Sequence, residues 1–319
     1  RSFETLQSLR FPLFPISPCS GRIEGRLDEK NSSIYFEGSM NRRWGIGAGF
    51  VFAAVVVVMF GLGQGDASAG KIKYVEGEFV NGGSISGVVK YKGPLKDVRI
   101  DLMKEKNGET CSKHPEAKDG VRFDRKILRS DDFLQNVVVF IENIERGKAW
   151  GKRGVSVEGE EAGFTNFHFK NCDISPKITI VRKTGRGETA GNLTVTTHDG
   201  GVLHNPIGYL VAGASRKVLF NKPLSSEVLI ADVTKSLKRF KTKDKHFFLQ
   251  CGQHNYMEAE ARIVWNPYFS VTDSTGSFNL NQVPAGKYKV TAWHPYAGGH
   301  TQEILVTQGA DTNVSFEVK

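Results

Sequence analysis

Hydrophobic and polar residues alternate along short stretches in most of the chain after residue 80. Clear cases are Ser84–Tyr91, Leu193–Thr197 and Ala259–Trp265, where apolar side chains recur at every second position. Val137–Ile141 is apolar throughout and bounded by polar residues, which is typical of a strand buried on both faces. Val233–Phe240 is long enough for only a short helix. The sequence therefore predicts an all-β protein of sandwich type.

The predicted strands fall into three blocks. Residues 80–145 form the first, and within it the polar stretch Lys104–Asp132 is expected to be a long loop. Residues 164–266 form the second block and residues 267–319 the third. Glycine and charged residues between 145 and 162 indicate a loop or linker between the first two blocks.

The longest apolar run precedes all three blocks. The segment 40–69 begins with a methionine, continues with the basic Asn41–Arg43 and the apolar Ile46–Leu62, and ends in the small residues Ala67–Ala69. This order is that of a secretory signal peptide, so we expect a periplasmic or extracellular protein and expect residues 1–39 to lie outside the gene product. About 17 apolar residues also approach the length of a membrane span, which leaves an uncleaved anchor as the alternative.

The chain is basic, with 43 Lys and Arg against 34 Asp and Glu and a formal charge of +9. That balance suits an acidic protein partner or an anionic surface, and equally a solvated basic surface. No run rich in Lys and Arg alternates with aromatic residues, so a nucleic-acid partner is not expected.

Three cysteines follow the expected leader: Cys111, Cys172 and Cys251. An oxidising compartment favours pairing, and an odd number leaves one thiol over. A disulfide between Cys111 and Cys172 would leave Cys251 free, where a bound metal would protect it. His114 lies three residues after Cys111, but the polar surroundings there favour a structural disulfide.

A set of metal-ligand side chains follows the apolar run Phe247–Leu249. Cys251, His254 and Met257 lie within seven residues there. Thiolate, imidazole and thioether select copper, and two His, one Cys and a weak axial Met form a blue-copper electron-transfer centre. Zinc could also bind a thiolate and two imidazoles, although Met is a poor zinc ligand.

The second imidazole must come from elsewhere in the chain. His204 lies in a glycine-containing turn after a predicted strand and is the first candidate; His198, in the same turn, is its substitute. His294, near another strand end, is a candidate interface residue or a strand-end cap. Neither a nucleophile motif nor a carboxylate pair typical of catalysis occurs, so an enzyme is not expected.

The Cys-x-x-His-x-x-Met loop and the upstream His204-Asn205 resemble the cupredoxins, with the short loop spacing of amicyanin. The resemblance implies a Greek-key sandwich over residues 164–266. It implies that His204, Cys251, His254 and Met257 ligate one type 1 copper ion, and that Asn205 ties the two ligand loops together. A two-copper centre would need a second cysteine where Phe247 stands.

The same resemblance implies how electrons would leave. In cupredoxins the loop histidine presents an exposed edge, so His254 is the expected exit, with Tyr256 and Ile207 as a possible docking patch. The partner would be a redox protein such as a c-type cytochrome or a dehydrogenase.

The third block resembles the carboxypeptidase regulatory-like, or transthyretin-like, β-sandwich. The matching residues are Thr272-Asp273-x-x-Gly276-x-Phe278 and Val283-Pro284-x-Gly286-x-Tyr288-x-Val290. The first strands of that module would be Gly83–Tyr91 and Asn136–Ile144. We therefore expect the cupredoxin-like block to be inserted into this sandwich, an order that also resembles exported methylamine-utilisation-like proteins.

The sequence thus favours an exported single-copper electron carrier that shuttles one electron. Two alternatives stay open. One is a non-redox binding or structural protein whose cupredoxin core has lost its metal, and the other is a protein for copper storage or delivery.

Overall fold

The computed structural model describes residues 74–77, 81–151, 164–184, 188, 190–240 and 246–319. The expected leader 40–69 and the residues before it lie outside this part. Strands dominate the described residues and helices are single turns or 3-10 segments, so the all-β prediction is confirmed. No helix in the described residues is long and apolar enough to cross a membrane.

The described residues before 151 contain eight strands, six of them within the first block. They are β1 (Val75–Glu76), β2 (Gly83–Tyr91), β3 (Asp97–Asp101), β4 (Val121–Arg125), β5 (Arg129–Ser130), β6 (Phe133–Leu134), β7 (Val138–Ile141) and β8 (Arg146–Gly147). Between β3 and β4 lie a 3-10 helix, Leu102–Lys104, and one α-helical turn, Gly108–Cys111.

The expectation of a loop throughout Lys104–Asp132 is wrong, because β4 and β5 fall within it. The alternation of β4 is inverted: Arg122 and Asp124 point inward and are buried, whereas Phe123 is exposed. The buried charges are paired, Arg122 with Asp173 at 2.6 Å and Asp124 with Lys126 at 2.6 Å. Because charged residues occupy its inward positions, β4 lacks the apolar alternation of an ordinary strand, and its sequence looks like that of a loop.

The second block contains nine described strands. They are β9 (Thr165–Lys170), β10 (Asp173–Ser175), β11 (Ile178–Arg182), β12 (Leu193–Thr197), β13 (Pro206–Ala212), β14 (Ser215–Asn221), β15 (Ile230–Asp232), β16 (His246–Cys251) and β17 (Glu258–Val264). The short helix expected near Val233–Phe240 is a 3-10 helix, Thr234–Arg239.

These nine strands form two sheets that enclose one core. The four-stranded sheet has the order β10-β9-β12-β15, and the five-stranded sheet has the order β11-β17-β16-β13-β14. Side chains from both sheets meet in a single buried cluster, for example Phe167 of β9 and Phe247 of β16, whose ring centroids are 6.0 Å apart. Residues of the second block therefore form a β-sandwich of their own.

The last block contributes β18 (Phe269–Val271), β19 (Ser277–Val283), β20 (Gly286–His294), β21 (Gly298–Val306) and β22 (Asp311–Val318). These strands pair with strands of the first block. One sheet has the order β18-β7-β20-β21; the other has the order β19-β2-β6-β5, with β22 also pairing with β2. These two sheets form a second sandwich, built from the first and third blocks. The sandwich of the second block, which we call the first sandwich, lies between those two blocks in sequence.

A small apolar cluster joins the two sandwiches. Val138 and Phe140 of β7 pack with Ile178 and Ile180 of β11 and with Val264 of β17. The ring centroids of Phe164, just before β9, and Phe269, just after β17, lie 6.2 Å apart. The chain therefore enters and leaves the first sandwich at neighbouring points on the second.

Candidate metal centre

The pairing of β13 with β16 brings the two ligand segments together. The two strands run antiparallel, and Pro206 lies opposite Cys251. His204, two residues before Pro206, is therefore placed beside the end of β16. The turn after β16 closes on itself: the N–H of Met257 donates to the carbonyl of His254 at 2.9 Å, and the N–H of Cys251 donates to the carbonyl of Met257 at 3.0 Å.

Three donor atoms converge at this point. Sγ of Cys251 lies 3.7 Å from Nδ1 of His204 and 3.6 Å from Nδ1 of His254. All three donor atoms lie within 4.8 Å of one another, and all three residues have no exposed surface. Among the described residues this is the one cluster of three or more Cys, His, Asp or Glu side chains with such spacing.

The spacing fits one metal ion between the three atoms. Metal bonds of about 2.3 Å to sulfur and about 2.0–2.1 Å to nitrogen, at angles of about 110–120°, separate the sulfur from each nitrogen by about 3.6–3.8 Å. The two sulfur–nitrogen distances of the cluster fall in that range, as expected for atoms that could share one metal ion.

Each imidazole is held by a hydrogen bond at its other nitrogen. Nε2 of His204 donates to Oδ2 of Asp199 at 2.9 Å, and Nε2 of His254 donates to Oδ1 of Asn107 at 3.2 Å. Because an acceptor holds the proton on Nε2, Nδ1 is the atom of each ring that could bind a metal. Asp199 is itself held by the backbone N–H groups of Asn171 and Cys172.

The cysteine is prepared as a thiolate. Burial would raise the pKa of Cys251, but the polar contacts of its sulfur with His204 and His254 and the hydrogen bond from the backbone N–H of Asn205 outweigh it and lower the pKa to about 5. Burial would likewise lower the pKa of His204, but its bonds to Asp199 and Cys251 raise it to about 8. A thiolate is the form that binds metal.

Asn205 joins the two ligand segments through its backbone. Its N–H donates to Sγ of Cys251 at 3.4 Å, and its carbonyl accepts from the N–H of Gly252 at 2.8 Å. A Cβ on Gly252 would lie 2.9 Å from Nδ2 of Asn205 and 2.9 Å from Cδ1 of Ile207, so the segments pack closely here. Met257 is fully buried in the same hydrophobic cluster as Cys251.

The expectation of an exposed His254 edge is wrong. The chain between β3 and β4, Leu102–Gly120, lies over this residue, and we call it the cap. Tyr256 is half-buried, with its hydroxyl buried and its ring 5.9 Å from the guanidinium of Arg122. Tyr256 and Ile207, which is also half-buried, therefore do not surround an exposed imidazole.

The remaining histidines lie away from the donor cluster. Nε2 of His198 contacts Nδ1 of His168 at 2.9 Å, and His114 contacts Arg122 at 3.3 Å. His294 is buried, and its Nδ1 accepts the backbone N–H groups of Tyr296 and Ala297, which makes it a buried turn cap. Burial lowers the pKa of His294 to about 4, so the ring is neutral.

A disulfide joins Cys111 of the cap to Cys172, and Cys251 is the free, buried cysteine among the described residues. Two supporting residues were missed in the sequence. Asp199, five residues before His204, could have been suspected as a carboxylate close to a ligand. Asn107 carried no comparable signal, because nothing in its local sequence relates it to His254.

Comparison with protein families finds a match to Polysaccharide lyase family 4, domain II, over residues 266–314. That range covers the greater part of the third block and none of the donor residues. No curated protein and no solved structure matches the chain. The match agrees with a β-sandwich in this part of the chain.

Proposed function

We propose that this protein is an exported, single-copper electron-transfer protein with a type 1 centre at Cys251, His204 and His254. The observation that supports it is the convergence of two Nδ1 atoms on one cysteine sulfur, at 3.6 and 3.7 Å from it, with a buried Met in the same turn. A copper ion bound there would supply a one-electron couple. Cys251, His204, His254 and Met257 would hold the ion.

Copper is favoured over zinc by the donor set. A fourth protein ligand in a closed zinc site is ordinarily Cys, His or a carboxylate, and no further residue of these types joins the described cluster. The nearby turn instead supplies a thioether, which is a soft ligand suited to copper. The carboxylate of Asp199 serves His204 from outside the donor cluster.

The fold supports electron transfer by holding the donor side chains in fixed positions. Donor atoms held by strand pairing and hydrogen bonds need little rearrangement when the charge of the metal changes. The basic chain, with its formal charge of +9, suits an acidic redox partner such as a c-type cytochrome or a dehydrogenase. The second sandwich, proposed as carboxypeptidase regulatory-like, would serve as the scaffold.

Copper storage or delivery is the second candidate, and the complete burial of both imidazoles favours it. Electron carriers exchange electrons fastest through an exposed ligand, and here neither histidine reaches the surface. A storage protein gains from the same burial, because it slows loss of the metal.

The test is to add one equivalent of Cu(II) to the purified protein and record the visible spectrum. We expect an intense thiolate-to-copper absorption that Cys251→Ser abolishes and that His198→Ala, outside the cluster, leaves unchanged. A colourless protein with stoichiometric copper bound would contradict the type 1 centre. In a coloured protein, reversible one-electron voltammetry supports electron transfer, and its absence supports storage or delivery.

A further inference from the structure

The cap is anchored in the core of the first sandwich, although its sequence lies in the first block. Leu102 and Cys111 are fully buried in the same hydrophobic cluster as Cys251 and Met257. The N–H of Leu102 donates to the carbonyl of Gly120 at 2.8 Å, which closes the base of the cap. The cap is therefore packed into the same core that holds Cys251 and Met257.

The tip of the cap contacts the ligand turn directly. Oδ1 of Asn107 accepts from Nε2 of His254 at 3.2 Å, and Nζ of Lys106 donates to the side chain of Gln253. Asn107 itself is exposed, so it is the outermost group over a ring that has no exposed surface. Solvent species approaching along this edge meet Asn107 before they meet the histidine.

The disulfide connects the supports of both histidines. Cys111 lies in the cap that holds His254, and it is bonded to Cys172. The backbone N–H of Cys172 donates to Asp199 at 2.8 Å, and Asp199 in turn holds Nε2 of His204. One covalent bond therefore ties the segment that positions one imidazole to the segment that positions the other.

We propose that the cap is a disulfide-fastened cover that controls access to the donor cluster, and that Asn107 positions His254. Ions, chelators and thiol reagents reach Cys251 when the cap opens, and the Cys111–Cys172 bond restricts that opening. What we infer about metal release rests on the proposed function. What we infer about the access of reagents to Cys251 does not.

The first experiment needs no metal. The full-length, copper-free protein is treated with iodoacetamide, and modification of Cys251 is followed by mass spectrometry of its peptide, which separates it from Cys19. Asn107→Gly removes the side chain without strain, because Asn107 has a φ of 57° that glycine adopts freely. Asn107→Asp keeps the acceptor oxygen and is the conservative variant.

We expect the double variant Cys111→Ala/Cys172→Ala to react at least about tenfold faster than the wild type, because local opening governs the reaction of a buried group. Asn107→Gly should also react faster, whereas Asn107→Asp and the exposed cap control Glu109→Ala should resemble the wild type. If Asn107→Gly and the double variant, both folded by circular dichroism, react at the wild-type rate, the inference is overturned. If the double variant fails to fold, Asn107→Gly decides.

The second experiment uses copper-loaded protein and follows loss of copper to EDTA. The double variant and Asn107→Gly should lose copper faster than the wild type, whereas Asn107→Asp and Glu109→Ala should lose it at the wild-type rate. Asn107→Gly should also change the visible spectrum, and Asn107→Asp should keep the wild-type spectrum. Unchanged release and spectra in every variant of a copper-binding protein would overturn the cap inference and leave the proposed function intact. A protein that binds no copper, yet shows the expected order of Cys251 modification, would contradict the proposed function and support the cap as a cover.

Discussion

Pro206 and Cys251 lie opposite each other across the antiparallel strands β13 and β16. That register places His204 beside the thiolate, although a long hairpin and a 3-10 helix separate the two residues in sequence. The donor cluster is therefore a product of strand pairing, and its geometry depends on β13 keeping its place between β14 and β16.

A larger residue at Gly208 should loosen this part of the sheet. A Cβ at Gly208 would lie 2.2 Å from Cε1 of Phe220, a buried ring that packs against Phe247. Because this ring has little room to move, Gly208→Ala should lower the free energy of unfolding by about 1–3 kcal/mol. Urea denaturation of the copper-free protein measures the change. Gly200→Ala, where an added Cβ meets nothing within 4 Å, is the matched control; equal stabilities of the two variants would refute the packing argument.

Asp199 should matter for the metal although it is not a ligand. It fixes the proton on Nε2 of His204 and is held by two backbone N–H groups. Loss of such a supporting carboxylate typically lowers metal affinity about 10–100-fold, so we expect a loss of this size in Asp199→Ala. Competition for copper with a chelator measures the affinity. Glu227→Ala, at an exposed site, is the control, and an unchanged affinity in Asp199→Ala would rule out the supporting role.

Stability should fall in mild acid because of His294. The folded-state pKa of His294 is lowered to about 4 by burial, whereas an unfolded histidine titrates near its ordinary pKa of 6.5. Between these values the unfolded chain binds the proton and the folded protein does not, so acid favours unfolding. The free energy of unfolding should drop by up to about 1.4 kcal/mol per pH unit in this window, and no further once pH is below 4.

The matched variant for this prediction is His294→Asn, whose side-chain oxygen can accept one of the two backbone N–H groups. It should be less stable than the wild type at pH 7 and should lose less stability between pH 6.5 and 4. Urea titrations at several pH values, taken as differences between the two copper-free proteins, cancel the other titrating groups. Parallel pH profiles for the two proteins would be the contrary outcome.

Local spacing made most of the donor set predictable. Cys251 and His254 lie in one turn after an apolar run, and alternation marked β2, β12 and β17 as strands. His204 could be chosen because it lies in a turn after a predicted strand, upstream of Cys251. Cys251 and His254 are near in sequence, which a sequence displays directly, whereas the approach of His204 depends on the pairing of β13 with β16.

The cap could not be predicted in the same way. β4 buries Arg122 and Asp124 and exposes Phe123, so its pattern indicates the opposite of its burial. Asn107 reaches His254 across 147 residues of chain, and no periodicity reports such a contact. The expected exposed imidazole was therefore wrong because a distant segment, polar in sequence, covers it.

The most direct test of the proposed copper centre is X-ray absorption spectroscopy at the copper edge of the protein loaded with one equivalent of Cu(II). We expect a first shell with one short sulfur and two imidazole nitrogens, and loss of the sulfur in Cys251→Ser. A first shell of nitrogen and oxygen alone in the wild-type protein would contradict it.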